Sequence, residues 1–190
     1  MNKDDRIKSA LEIAMEKVAS MAELTPEELN EQTEKEYRPR GEAIASKYLG
    51  NTLRGKDLRS ELKKYKGKEG EIVRRAFLSA LCQSLGLVDM RESLKAIDGI
   101  QMVETNVNLE EIRREIESVA QEFRQQMEQR YAVYENLERE KLGELWISGS
   151  AVRPNLDGSA DWQRELTGIQ SAYETRLNKV RENLVHLIGI

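Results

Sequence analysis

From Leu109 to Ile147 the sequence contains no proline and only one glycine, Gly143. An uninterrupted run of this kind predicts one long helix. At 1.5 Å per residue, a helix of about 40 residues would span about 60 Å, roughly twice the diameter of a small domain. Leu109, Ile112, Ile116, Val119, Phe123, Met127, Tyr131, Tyr134, Leu137, Leu142 and Leu145 recur at steps of three and four, with a slip around Met127 and Tyr131. That rhythm is the signature of one apolar stripe along a helix. Asn108 with Glu111 supplies a capping-box pattern at its start, flanked by Val107 and Ile112 as a staple pair.

A second long stripe follows. Trp162, Leu166, Ile169, Tyr173, Leu177, Val180, Leu184 and Leu187 keep a near-heptad spacing, with Asp157 or Ser159 placed to cap it. Between the two, residues 148–158 contain Gly149, Pro154 and Gly158 and read as a loop. Two consecutive amphipathic helices joined by a modest loop fold back most simply as an antiparallel hairpin. The expected fold is therefore all-α, an N-terminal multi-helix bundle over 1–105 with a long, coiled-coil-like hairpin over 106–190. Counting back from the loop places Ile188 beside Val119. Leu109, Ile112 and Ile116 are then left without a partner inside the hairpin and must pack on the N-terminal helices or on another subunit. They are the expected oligomer interface. Trp146 and Trp162 lie at the loop-proximal ends and are expected to meet as aromatics closing the hairpin.

The N-terminal part divides at turn signals. A first amphipathic segment runs from Asp4 to Ala22. Thr25, Pro26 and Glu28 form a strong helix start, with Leu24 and Leu29 at the staple positions. Pro39 predicts a kink or break after Tyr37, since proline lacks the amide proton and disfavours helical geometry at Arg38. Further helices are expected up to Leu49, over Asp57–Tyr65 and over Glu71–Leu85, the last being the most apolar and the centre of the N-terminal core. Another is expected from Asp89 to Ile97, ending before Asp98-Gly99.

Charge is unevenly placed. Residues 35–75 hold 13 basic and 6 acidic side chains, while the remainder holds 17 and 28, so a net of +7 is set against −11. Such a division suits a basic docking surface or mutual neutralisation in an assembly. The single cysteine, Cys82, excludes an intramolecular disulfide framework. No run approaches the ~18 apolar residues of a membrane span. With no secretory signal apparent, the expectation is a cytoplasmic protein without membrane contact.

Candidate chemistry is sparse. Gly50-Asn51-Thr52-Leu53-Arg54-Gly55-Lys56 matches the front of a phosphate-binding loop, but Asp57 replaces the hydroxyl residue and a helix, not a strand, precedes it. A turn with Asp57 as an N-cap fits better. Lys56, Arg59, Lys63 and Lys66 align at helical steps, with Arg74 and Arg75 nearby, as a solvated face or a docking surface for an acidic protein segment or, less favoured, nucleic acid. The acidic isoelectric point near 5.4 weighs against general nucleic-acid affinity. Arg38-Pro39-Arg40 beside Tyr37 suggests an anion site at a helix start, though a structural kink is the plainer reading. His186, the one histidine, has Glu182 one turn away, yet no further metal ligand accompanies them. Cys82 sits among Phe77, Leu78, Leu81 and Leu85 and reads as a core residue. No catalytic residue, metal site or cofactor is expected. The leading expectation is a non-enzymatic, self-associating adaptor, scaffold or chaperone-like factor, its expected partners being a second copy, as a dimer, and another protein. A nucleic-acid-associated protein and an unrecognised helical enzyme are the alternatives.

Overall fold

The computed structural model describes residues 25–147, 149 and 152–190. The segment expected from Asp4 to Ala22, and Leu24 of the staple pair, lie outside the described residues. Six α-helices and one short 3₁₀ turn make up the described chain, which is all-α.

Helix α1 (Pro26–Leu49) begins with the expected capping box: the Glu28 amide donates to Thr25 Oγ1 at 3.2 Å, and the Thr25 amide donates to the Glu28 carboxylate at 2.8 Å. It does not break at Pro39. A mid-helix proline costs about 3 kcal/mol, so something must offset it. Downstream of Pro39, α1 buries Gly41, Ile44, Ala45 and Tyr48. The crossing with α3 (Gly67–Gln83) is close enough that a Cβ on Gly41 would lie 2.4 Å from the Val73 carbonyl oxygen. Ion pairs Glu36–Arg40 at 2.7 Å and Arg38–Glu42 at 3.1 Å straddle the proline. Burial on one side and i,i+4 pairing on the other hold the helix through a residue that ordinarily interrupts it.

Helix α2 (Gly55–Leu62) stops three residues earlier than its apolar spacing suggests, and Asp57 lies in its first turn, not at its N-cap. Helix α4 (Met90–Val103) is capped by Asp89, which accepts from the Glu92 amide at 2.9 Å. It runs six residues past the expected end at Ile97. Gly99 is inside it because Tyr48 and Leu81 press on that spot: a Cβ there would stand 2.6 Å from Tyr48 Cε1. The glycine marks a close approach, not a helix end.

Helices α5 (Glu110–Glu144) and α6 (Ala160–Ile188) lie antiparallel. The pairings fix the register. Glu122 meets Arg176 at 2.7 Å, the Phe123 and Tyr173 rings stand 5.5 Å apart, Arg130 meets Glu165 at 2.6 Å, and Trp162 packs between Tyr131 and Tyr134. Ser159 caps α6 and also donates to Glu138 at 3.1 Å. Fifteen residues beyond Tyr173, Ile188 comes level with about Asn108, fifteen before Phe123. This corrects the register counted from the loop. The loop does not turn at its midpoint: the 3₁₀ turn Leu156–Gly158 folds back with Leu156 buried, so α6 starts opposite Glu138 while α5 continues to Glu144.

One continuous core joins both parts of the chain. Ile44, Tyr48, Val73, Phe77, Leu81, Ile97 and Ile100 belong to the same cluster as Leu109, Ile116, Leu177 and Leu184. Arg181 locks α6 to the end of α3 by donating to the Leu85 carbonyl.

Candidate functional site: an overhanging arm and a cationic cleft

Leu109, Ile112 and Ile116 are 1%, 7% and 1% exposed, buried in this chain's own core. They are not an oligomer interface in this structure. The register explains why: α6 reaches far enough to cover them, and the unmatched end of α5 is the opposite one. About six residues of α5, near 9 Å at the helical rise, project past the start of α6.

The exposed apolar residues gather toward that end of the hairpin and in the three residues just past it. Nine large hydrophobic side chains are exposed among the described residues, and six of them, Tyr131, Val133, Leu137, Leu145, Trp146 and Ile147, fall between 131 and 147. Such clustering is uncommon on a surface that faces only water. Along one flank of the arm a groove of about 610 Å³ runs past Tyr134, Leu137, Gly168, Ile169 and Ala172.

Trp146 does not meet Trp162. It is 94% exposed, whereas Trp162 is 4% exposed and takes Tyr131 and Tyr134 as its neighbours, with ring centroids at 5.6 and 5.5 Å. The reason is the way α5 ends. The Trp146 amide donates to the Gly143 carbonyl and the Ile147 amide to the Leu142 carbonyl, both at 2.9 Å. This Schellman pattern requires a left-handed residue at its centre, and Trp146 has φ 61°. Glycine or asparagine usually fills that place because a side chain there costs about 1 kcal/mol. The chain follows that preference elsewhere: Asn51 with φ 62° closes α1, and Gly189 with φ 70° closes α6. At the arm's tip a bulky indole takes the strained position and points into solvent.

The basic residues separate on folding. Arg59, Lys63 and Arg74 line a cleft of about 490 Å³ between α2, the start of α3 and the end of α4. Its floor is Leu62, Tyr65, Met102 and Val103, all partly buried against the core. Lys56 and Lys66 flank the cleft in sequence without lining it, because α2 ends at Leu62 and Lys66 is already the N-cap of α3. Arg75 leaves the group altogether and grips Glu34 of α1 with two contacts of 2.8 and 2.7 Å. Within the cleft Arg59 Nε donates to the Met102 carbonyl at 2.7 Å, and Arg74 pairs with Glu104. The apolar floor was not legible as a site, since Met102 and Val103 lay beyond the expected end of their helix.

The remaining candidates fall into structural places. Asn51, in the glycine-containing turn, is held by Lys95, which also donates to the Leu49 carbonyl at 3.0 Å. Arg38 and Arg40 face no helix start, because α1 is continuous there. His186 and Glu182 are exposed on the last turns of α6. Among the described residues no three His, Cys, Asp or Glu side chains converge as a metal-binding set. Burial pushes the Cys82 thiol up to about 12, so it is an inert core group at neutral pH. Tyr48 is also raised, by burial and then by Asp98. Where α5 and α6 leave the body, the hydrogen bond from Arg176 holds the Glu122 carboxyl below its ordinary range.

The architecture thus defines an all-α class: a packed body from which the two-helix end of a hairpin projects. Comparison with protein-family models, curated proteins and solved structures finds no match for this chain. Among the described residues no helix is long and apolar enough to cross a membrane.

Proposed function

We propose that this chain is a non-enzymatic, self-associating helical interaction protein of the cytoplasm, and that a second copy packs on the distal arm formed by α5 and α6. Among the described residues, the arm beyond the Phe123–Tyr173 pair is only two helices thick. Two antiparallel helices cannot enclose a core between them, and pairing two such arms makes a four-helix bundle that does. The observation that carries this reading is Trp146, a strained and 94% exposed tryptophan beside exposed Leu145 and Ile147. A strained position occupied by an indole that packs on almost nothing described in the chain points to a role outside it.

Size and charge agree with a second copy as the occupant. Six large side chains, half to fully exposed, present on the order of 600 Å², against the ~800 Å² per partner of a standard interface. Residues 126–170 hold eight acidic and five basic side chains, so the arm is near enough to neutral that two copies do not repel strongly.

Sedimentation equilibrium tests the proposal. The expected species has twice the 21.8 kDa chain mass at micromolar concentration, and the double substitution Leu137→Asp with Trp146→Ser returns it to the chain mass. A native chain that sediments as a monomer up to about 100 µM, weaker than any stable specific dimer, overturns it.

A further inference from the structure

The cleft between α2, α3 and α4 has a composition that the arm lacks. Its floor is apolar and its rim is cationic. Leu62, Tyr65, Met102 and Val103 face the space, and Arg59, Lys63 and Arg74 border it with only Glu71 as an opposing charge in the lining. Lys63 is exposed, and among the described residues no ion pair or hydrogen bond engages its ammonium group, Glu61 pairing with the neighbouring Lys64 instead. Arg59 is exposed and, among the described residues, engages only Nε, with the Met102 carbonyl, which leaves its two terminal nitrogens for a carboxylate.

We propose that this cleft binds a short acidic segment of another protein, one in which Glu or Asp side chains flank a leucine- or phenylalanine-sized anchor. The anchor covers Leu62, Tyr65, Met102 and Val103, and the flanking carboxylates meet Lys63 and the free edge of Arg59. The volume of about 490 Å³ falls in the range of sites that take a small ligand or a few side chains. Buried anchors supply affinity and the charged rim supplies approach and orientation.

Nucleic acid fits the same surface less well. A phosphate backbone needs a line of uncommitted cations. Here Arg74 is paired with Glu104 and Arg75 with Glu34, and the stripe expected over Lys56 to Lys66 is broken where α2 ends. An apolar floor offers phosphate nothing. The inference is independent of self-association, because the cleft lies on the body and not on the arm.

Fluorescence anisotropy on the full chain tests it with three labelled probes of equal length: an Asp/Glu peptide carrying Leu and Phe anchors, polyglutamate, and a single-stranded oligonucleotide. The anchored peptide is expected to bind at least about tenfold more tightly than polyglutamate, with the oligonucleotide no better than polyglutamate. Lys63→Glu, an exposed change that leaves the core untouched, is expected to weaken the anchored peptide about tenfold, and Lys63→Arg to retain it. Tighter binding of the oligonucleotide would reassign the cleft to phosphate and overturn the proposal. Absent peptide binding, or binding indifferent to Lys63→Glu, would overturn it as well.

Discussion

The body and the distal arm are built from the same kinds of residue and handle them differently. In the body, Phe77, Leu78, Leu81, Ile97, Leu109 and Leu184 are buried in one cluster to which all six helices contribute, Gly41 lets two helices cross closely, and Gly99 makes room for the Tyr48 ring. In the arm, Trp162 packs between two tyrosines that are themselves partly in water, and among the described residues Leu145, Trp146 and Ile147 stay half to almost fully exposed. Apolar periodicity therefore does not report burial. It reports a face, and the number of elements available to cover that face decides what becomes of it.

The contrast is sharpest in core truncations. Phe77→Ala should remove about 3–5 kcal/mol and shift the whole unfolding transition. Trp162→Ala should remove less, at or below about 3 kcal/mol, because its neighbours Tyr131 and Tyr134 are partly in water and can collapse into the space left. Chemical denaturation followed by far-UV circular dichroism reads both, and equal losses would erase the distinction between the regions. Gly41→Ala should cost about 2 kcal/mol, since the added methyl meets a backbone carbonyl that cannot rotate away. The same substitution at Gly168, where nothing lies within 4 Å, should be neutral or slightly stabilising in a monomeric variant.

Alkaline titration separates the regions again. The Cys82 thiol is raised from near 9 to about 12, and the Tyr48 hydroxyl is raised too. Both favour the neutral form in the folded state, so their contribution is complete below about pH 9 and is lost as pH rises toward 12. Stability of the body should fall across that window. Cys82→Ala should cost roughly 1 kcal/mol at neutral pH through lost packing while flattening the alkaline decline. A slope unchanged by the substitution would contradict a buried, protonated thiol.

A small expected effect on stability, at Trp146, is the most informative about the arm. Trp146→Gly relieves the left-handed strain and should stabilise the isolated chain by up to about 1 kcal/mol. It should also weaken self-association markedly. Stabilisation without loss of association would make the indole a bystander.

Much of this was legible in the sequence. Thr25, Pro26 and Glu28 announced a capped helix start, Asp89 another, and the stripes from Leu109 and from Trp162 gave two long helices. Local chemistry decides such features, so one segment suffices to read them. What was misread depends on distant partners. Pro39 suggested a break because the packing that carries α1 through it comes from α3. Gly99 suggested a helix end because the aromatic ring and the leucine that require it lie on α1 and α3. The overhang was assigned to Leu109, Ile112 and Ile116 because the register was counted from the loop, and the buried Leu156 turn that shifts it was not visible in the periodicity. The cationic residues were found, but their apolar floor was not, since Tyr65 and Val103 meet only in three dimensions.

Hydrogen exchange of the native chain at low and high protein concentration tests the distal arm most directly. Amides of 126–144 and 160–170 should gain protection as concentration rises, while those of α3 and α4 stay unchanged. Protection in the arm that is the same at both concentrations would show that nothing covers it, and would contradict the account.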